Sequence, residues 1–356
     1  MSKTIKKCFD DKLTFINLYD AYFRICKSKR NKKYILKCDI DMEYCLNDLL
    51  FDLKNNRYKP GIYHEFTIYE PKERKIQALP FRDRIVHQWY IEEFIKPYII
   101  PRFICDSYSC ISFRGSHRGI NKLQKYMRKL YVKNRDYYVL KCDISKYFYS
   151  IDKDILFDIM NRYISDKKLI NLTKIIIYDN MSDNGIPIGN YTSQYFANIY
   201  LNELDYYVKE VLRVKYYIRY MDDFVILLDN KEECKFVFAS ISIFLWDKLR
   251  LRLNKKSKYF HNKMGIDFLG YRVFNDYRLL RKNSIKKIKK KIDIWNCKYG
   301  CNIMDNREVI LSFNSWLGHI KHCDSYRIKN VIVNRMKWYK CNIKWLTVKY
   351  LCGIIS

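Results

Sequence analysis

Residues 214–229, VKYYIRYMDDFVILLD, set two apolar runs on either side of a short polar break, Tyr220-Met221-Asp222-Asp223. Both runs are rich in β-branched and aromatic side chains, and such runs flanking a tight break read as a β-hairpin. Adjacent carboxylates at its tip are a costly arrangement. Each disfavours the ionised form of the other unless a cation sits between them. An exposed turn that merely tolerates Asp is the competing reading, and the rest of the chain has to decide between the two.

At 356 residues the chain can bury a large core and form two or three domains. A hydrophobic content of 49% excludes a disordered protein, and the 30% of charged residues are spread throughout. No uninterrupted apolar run is long enough to span a bilayer. The start, MSKTIKKCFDDK, lacks the apolar core of a signal peptide. Thirteen cysteines in that setting are expected as reduced thiols in the cytoplasm. Cys297, Cys301, His319, His322 and Cys323 sketch a zinc site, but their spacing matches no standard ligand pattern. The net charge of +30 carries more weight. A chain this basic binds polyanions by counterion release, and nucleic acid is the expected partner. An anionic membrane is the alternative, but the charge is not gathered on one amphipathic helix. Thirty-three tyrosines mostly reflect composition, with some available to stack on bases.

Leu46, Leu49, Leu50 and Leu53 recur at helical spacing, and Tyr58-Lys59-Pro60-Gly61 stops that element. Phe66 to Tyr69 reads as a strand leading to Pro71 and a basic turn with Lys72, Arg74 and Lys75. Ile76 to Leu79 returns as a second strand, and after Pro80 a helix carries Ile85, Val86, Trp89 and Tyr90 at core spacing. A basic hairpin tip can clamp a triphosphate; a solvated turn is the bland alternative. Arg114, Gly115, His117 and Arg118 precede an amphipathic basic helix, a weak sign of phosphate contact. Asp143 ends the strand-like YYVLKC, where catalytic carboxylates are commonly mounted, and a helix is expected from about Ile151. An N-cap is the other reading of Asp143, but Ile144 to Phe148 do not look like a first helical turn. GIPIGN, 185–190, is a glycine loop running into a long helix with Phe196, Ile199, Tyr200 and Leu204 on its buried stripe. Ser193, Gln194, Ala197 and Asn198 are expected off that stripe, and Gly185 and Gly189 let backbone approach a bulky ligand closely, with a helix cap as the equal alternative. Later, a strand ends in Lys255 and Lys256, and 264–274 forms a short hairpin. Ile285, Ile288, Ile292 and Trp295 share one face of a lysine-coated helix, so 276–356 reads as a separate basic helical domain.

Asp143 and Asp222, each on or beside a strand and meeting in one antiparallel sheet, would hold two divalent cations for in-line phosphoryl displacement. Oxygen ligands and substrate phosphates select Mg²⁺, with Mn²⁺ as a substitute. The ordered set PKERKI, PFRDRIVH, DISKYF, GIPIGNYTSQ, YMDD, NKKS and GIDFLGY resembles reverse transcriptases of the group II intron-like superfamily over essentially the whole chain. The resemblance implies an α+β polymerase right hand: fingers over 1–135, palm over 136–275 and a helical basic thumb over 276–356. It implies Asp143, Asp222 and the backbone carbonyl of Ile144 as metal ligands, with Asp223 in support. Lys72, Arg74, Gln194 and Lys256 (or Lys255) would contact the incoming nucleotide, and Phe148 would exclude a ribose 2′-hydroxyl. Ile188, Gly189 and Arg114 would lie by the template, and Phe268, Leu269 and Gly270 would grip the primer.

One departure narrows the resemblance. Most bacterial members carry Gln-Gly and Ser-Pro before the long helix, whereas this chain has Ile188-Gly189 and Ser193-Gln194. That form is similar to reverse transcriptases of diversity-generating retroelements, as are FICDSYSC near 103 and SFNSWLGHIKHCDSYR near 312. It implies a template RNA copied with errors at adenines and a small basic helical accessory protein. A stand-alone antiphage-defence reverse transcriptase and a catalytically dead nucleic-acid scaffold are the alternatives; three retained carboxylates weigh against the second.

Overall fold

The computed structural model describes residues 4–27, 29–30, 32–69, 73–179, 184–301, 303 and 305–337, without the side chains of 33, 34, 37 and 38. Lys72, assigned above to the nucleotide, and the end of the tail lie outside the described residues. The strands are β1 (His64–Ile68), β2 (Arg74–Ala78), β3 (Tyr138–Cys142), β4 (Tyr216–Tyr220), β5 (Asp223–Leu228), β6 (Lys258–His261), β7 (Ile266–Phe268), β8 (Tyr271–Val273) and β9 (Arg278–Leu280). They form a β1-β2 ribbon, a four-stranded sheet in the order β4-β5-β3-β6, and a β7-β8-β9 sheet. With helices making up most of the remainder, the class is α+β. No helix among the described residues is long and apolar enough to cross a membrane.

The chain divides into two compact units: Met1–Gly115, Leu140–Ile226 and Lys231–Tyr259 in one, Ser116–Val139, Leu227–Asn230 and Phe260–Ser356 in the other. In the first, the expected hairpin is β4-β5, linked by Met221-Asp222, with Met221 at φ 57°. Two-residue links with positive φ match the twist of the strands they join. Phe224 to Leu228 are all buried, so β5 is covered on both faces as a continuous apolar run demands. The helix Tyr191–Tyr206 buries Phe196, Ile199, Tyr200 and Leu204 as expected, but also Ser193, Ala197 and Asn198. It is not amphipathic, because Asn198 satisfies its amide internally by donating to the Ser109 carbonyl. The helix Phe81–Tyr90 buries Ile85, Val86, Trp89 and Tyr90, and Met42–Lys54 buries Leu46, Leu49 and Leu53.

Two local expectations are corrected. Arg74 and Lys75 belong to β2, not to the turn: Arg74 pairs opposite Ile68, Lys75 opposite Thr67, and Lys75 Nζ reaches Glu65 at 2.6 Å. After β3 a single helical turn, Tyr147–Ser150, does form; it follows Lys146 in the left-handed region, and the next helix begins at Lys153 under an Asp152 cap.

In the second unit, β7 and β8 pair with Phe268 opposite Tyr271. Leu269 (φ 47°) and Gly270 (φ 92°) make their two-residue link. β9 adds a third strand that the sequence did not announce. The helix Lys282–Gly300 buries Ile288, Ile292 and Trp295 and exposes Lys286, Lys287 and Lys290. The helix Asn306–Ile320 buries Val309, Phe313, Trp316 and Ile320. Cys297 and Cys301 are exposed free thiols, and no group of three or more His, Cys, Asp or Glu side chains among the described residues could hold a metal ion, so the zinc sketch is not assembled.

Candidate active site

Three carboxylates converge at one end of the four-stranded sheet. Asp143 follows the last residue of β3, Asp222 sits in the β4-β5 link, and Asp223 opens β5, the neighbour of β3. Burial and then the Asp143 charge push the Asp222 carboxyl above its ordinary value. Arg74 on β2 opposes that rise, which places the β1-β2 ribbon's cation within electrostatic reach of the site. Asp223 is raised to about 6, chiefly by burial, with Asp143 and Asp222 adding and Lys141 opposing. Its Oδ2 lies 3.3 Å from Lys141 Nζ, while its Oδ1 is buried without a hydrogen-bond partner.

An orphaned carboxylate oxygen beside two further acids, each raising the other's free energy, is an arrangement that a cation would relieve. Among the described residues no preformed cage of three such side chains exists. None is needed for Mg²⁺, which is held by one or two carboxylates together with waters and substrate phosphates. The residues present therefore fit the ion, and Asp143 and Asp222 are the side chains that would hold it. Asp223, tied to Lys141, is placed to support them.

The turn bearing Asp222 is pinned from beneath. Arg219 of β4 is fully buried; its Nη1 donates to the Met221 carbonyl and to Asn198 Oδ1, both at 3.0 Å. Its Nε and Nη2 donate to the two oxygens of Asp205, at 2.7 and 2.5 Å, and the Tyr217 hydroxyl also donates to Asp205. The backbone of Arg219 exchanges hydrogen bonds with Asp106 and Tyr108, inside the FICDSYSC stretch. Asp143 is held by 252–257: Asn254 N–H donates to its carbonyl at 2.7 Å and Asn254 Nδ2 to its Oδ2 at 3.1 Å. Lys255 and Lys256 occupy an exposed turn just before β6, instead of ending a strand.

The glycine loop serves a different purpose from the one expected. A Cβ at Gly185 (φ 86°) would lie 2.9–3.0 Å from the backbone of Phe148 and Tyr149, and one at Gly189 (φ 135°) 2.6 Å from the Gln77 carbonyl. The glycines thus admit the chain's own backbone. Ile186 N–H donates to the Phe148 carbonyl and Gln77 N–H to the Ile188 carbonyl, so the loop joins the Phe148 turn to β2. Phe148 and Ile188 are half-buried, and Gln194 is exposed with its Oε1 3.4 Å from Cys110 Sγ. Arg114 spends its Nη1 on the carbonyls of Ile104 and Ser107. Phe268, Leu269 and Gly270 form the β7-β8 end, where a Cβ on Gly270 would lie 3.2 Å from the His319 ring.

Sequence reasoning missed Lys141, Asn254, Ser257 and the Arg219–Asp205 pair. Lys141 was findable, since it stands two residues before Asp143 and so shares its face. Arg219 was signalled by a charge inside an apolar strand, but nothing local names Asp205 as its partner.

The family model described as reverse transcriptase (RNA-dependent DNA polymerase) matches residues 70–273, more than half of the chain. The group II intron-encoded protein LtrA of Lactococcus lactis subsp. cremoris is 22% identical over 353 residues, covering 77% of this chain and 57% of LtrA. Protein YkfC of Escherichia coli strain K12 is 27% identical over 269 residues, covering 61% of this chain and 67% of YkfC. The chain thus spans a little over half the length of LtrA. Among solved structures, a telomerase from Candida albicans in complex with a fragment of telomeric RNA aligns at TM-score 0.49 and 13% identity, over 84% of this chain and 64% of that one.

Proposed function

The chain belongs to the reverse transcriptase family, whose fold is the polymerase right hand, and on that premise we propose that it copies a template RNA into cDNA. The carrying observation is the electrostatic coupling of Asp143 and Asp222 across neighbouring strands. In this reading fingers, palm and thumb follow 1–135, 136–275 and 276–356. Bound Mg²⁺ would supply charge neutralisation at the attacking 3′-hydroxyl and at the leaving pyrophosphate. Asp143 and Asp222 would hold it, with the Ile144 carbonyl completing the protein's share, and Lys141 keeps Asp223 oriented beside them. Arg74, already in reach of Asp222, binds the triphosphate, together with Lys72. The Phe148 ring closes the space over the sugar, and the Gly185–Gly189 loop fixes that ring's turn against β2.

The finer reading is a diversity-generating enzyme with template-adenine errors and a basic helical accessory protein. Its support is the Ile188-Gly189 and Ser193-Gln194 form and the FICDSYSC stretch. Ile188 puts an apolar side chain where the resemblance has a polar one beside the templating base. An apolar contact discriminates base-pair geometry less through hydrogen bonds, which lowers selectivity. Primer extension on a defined RNA in Mg²⁺, comparing wild type with Asp222→Ala and sequencing the cDNA, tests both levels. We expect the variant to lose extension by at least a thousandfold and wild-type errors to concentrate opposite adenine. Equal extension would sink the polymerase; errors spread evenly over the four template bases would sink the diversifying role.

A further inference from the structure

We propose that Asn254 is a positioning residue that orients the Asp143 carboxylate and couples it to the Lys255–Lys256 turn. The inference rests on the reading of Asp143 as a metal-binding carboxylate. Asp143 takes its local partners from one short segment. Ile144 bridges to Leu253, and Ser145 N–H donates to the Arg252 carbonyl at 2.9 Å. The Asp143 N–H donates to Ser257 Oγ at 3.2 Å, and that hydroxyl lies 3.3 Å from the Asp143 carbonyl. Ser257 touches only the main chain of Asp143, whereas Asn254 holds both the carbonyl, through its main-chain N–H, and the carboxylate, through its side-chain amide to Oδ2.

Two bonds from one residue to another close a ring. The terminal torsion of an Asp side chain is soft, so a free carboxylate samples a broad range about it. The ring removes that freedom and leaves the other carboxylate oxygen for a cation. The opposite end of the same amide is also committed: Asn254 Oδ1 accepts the Lys256 N–H at 3.0 Å, forming the turn that presents both lysines. The amide orientation follows from its partners, because a main-chain N–H only donates and a carboxylate only accepts. Ala would lose both bonds. Asp would keep the acceptor that builds the turn but have no donor for Asp143. Asn alone among these three joins the acid to the lysine turn, so a displacement of that turn is transmitted to the carboxylate.

The test uses the full chain and four proteins: wild type, Asn254→Ala, Asn254→Asp and Asp143→Asn. Readouts are primer-extension kcat and dNTP KM, Mn²⁺ affinity by calorimetry without nucleotide, and the thermal midpoint. Asn254→Ala should lower kcat and weaken Mn²⁺ binding, each by about 10- to 100-fold, with KM changed less than about threefold. Asn254→Asp, which retains the turn, should lower kcat at least as far. Wild-type kcat in Asn254→Asp would show that Asn254 only builds the turn and would overturn the proposal. So would unchanged Mn²⁺ affinity and kcat in Asn254→Ala. Retained extension in Asp143→Asn would instead overturn the polymerase reading on which the proposal stands.

Discussion

His87 shows what a single buried group imposes. It lies in the helix Phe81–Tyr90 at 1% exposure, its Nδ1 2.8 Å from Thr192 Oγ1 and its Nε2 buried without a partner. Burial lowers its pKa from 6.5 to about 3. The folded state therefore holds the ring neutral, while the unfolded chain protonates it below 6.5. Its contribution to stability is complete above that pH and is lost as pH falls from 6.5 toward 3. Between pH 7 and pH 5 the loss amounts to about 2 kcal/mol. Urea denaturation at the two pH values should show it in wild type and not in His87→Asn; the same acid sensitivity in both would remove His87 as its source. Nothing in the sequence marks this histidine, since a helical position alone does not say whether a ring will be desolvated. That Asp143 and Asp222 come together was legible for the converse reason: a carboxylate beside an apolar strand is costly unless something offsets it. Asn254 was not, because its value comes from a residue 111 positions away.

At the scale of elements, the hairpin β4-β5 and the helices of 42–54 and 81–90 were legible from periodicity, because one local pattern determines which face is buried. The helix Tyr191–Tyr206 was misread because its polar residues are inside. Asn198 and Asp205 meet the guanidinium of Arg219, which is as fully buried as they are. Long-range pairing of this kind leaves no periodic trace. Its energetics are testable. Removing one member of a buried ion pair strands the other charge and costs about 3–5 kcal/mol, whereas replacing both by apolar groups is often near neutral. Asp205→Leu should accordingly destabilise more than the double variant Asp205→Leu/Arg219→Met. Denaturant midpoints for the two singles and the double give the coupling. Additive losses would mean that the pair is not the unit holding the strand to the helix.

For the whole molecule, 68 Lys and Arg face 38 Asp and Glu, so ion pairing inside the fold leaves the net charge of +30 untouched. Several of the ion pairs among the described residues join exposed groups, which contribute little to stability. An excess of this size favours polyanions, and the mark of such binding is a steep dependence of affinity on salt. Each phosphate neutralised changes the slope of log affinity against log salt by about −0.7 to −0.9. Lys286, Lys287 and Lys290 project from the face of the helix Lys282–Gly300 opposite its buried Ile288 and Ile292. A face built only for solubility would leave the slope untouched when these are neutralised. A face that meets the nucleic-acid backbone would not. Replacing all three by Gln should reduce the magnitude of the slope for an RNA–primer duplex by about 2–3, with the thermal midpoint retained because none of the three is buried. Fluorescence anisotropy between 50 and 300 mM KCl, ranges in which counterion release dominates at about these concentrations, reads it directly. An unchanged slope would assign the lysine face to solvent and leave the excess charge to act from elsewhere on the chain.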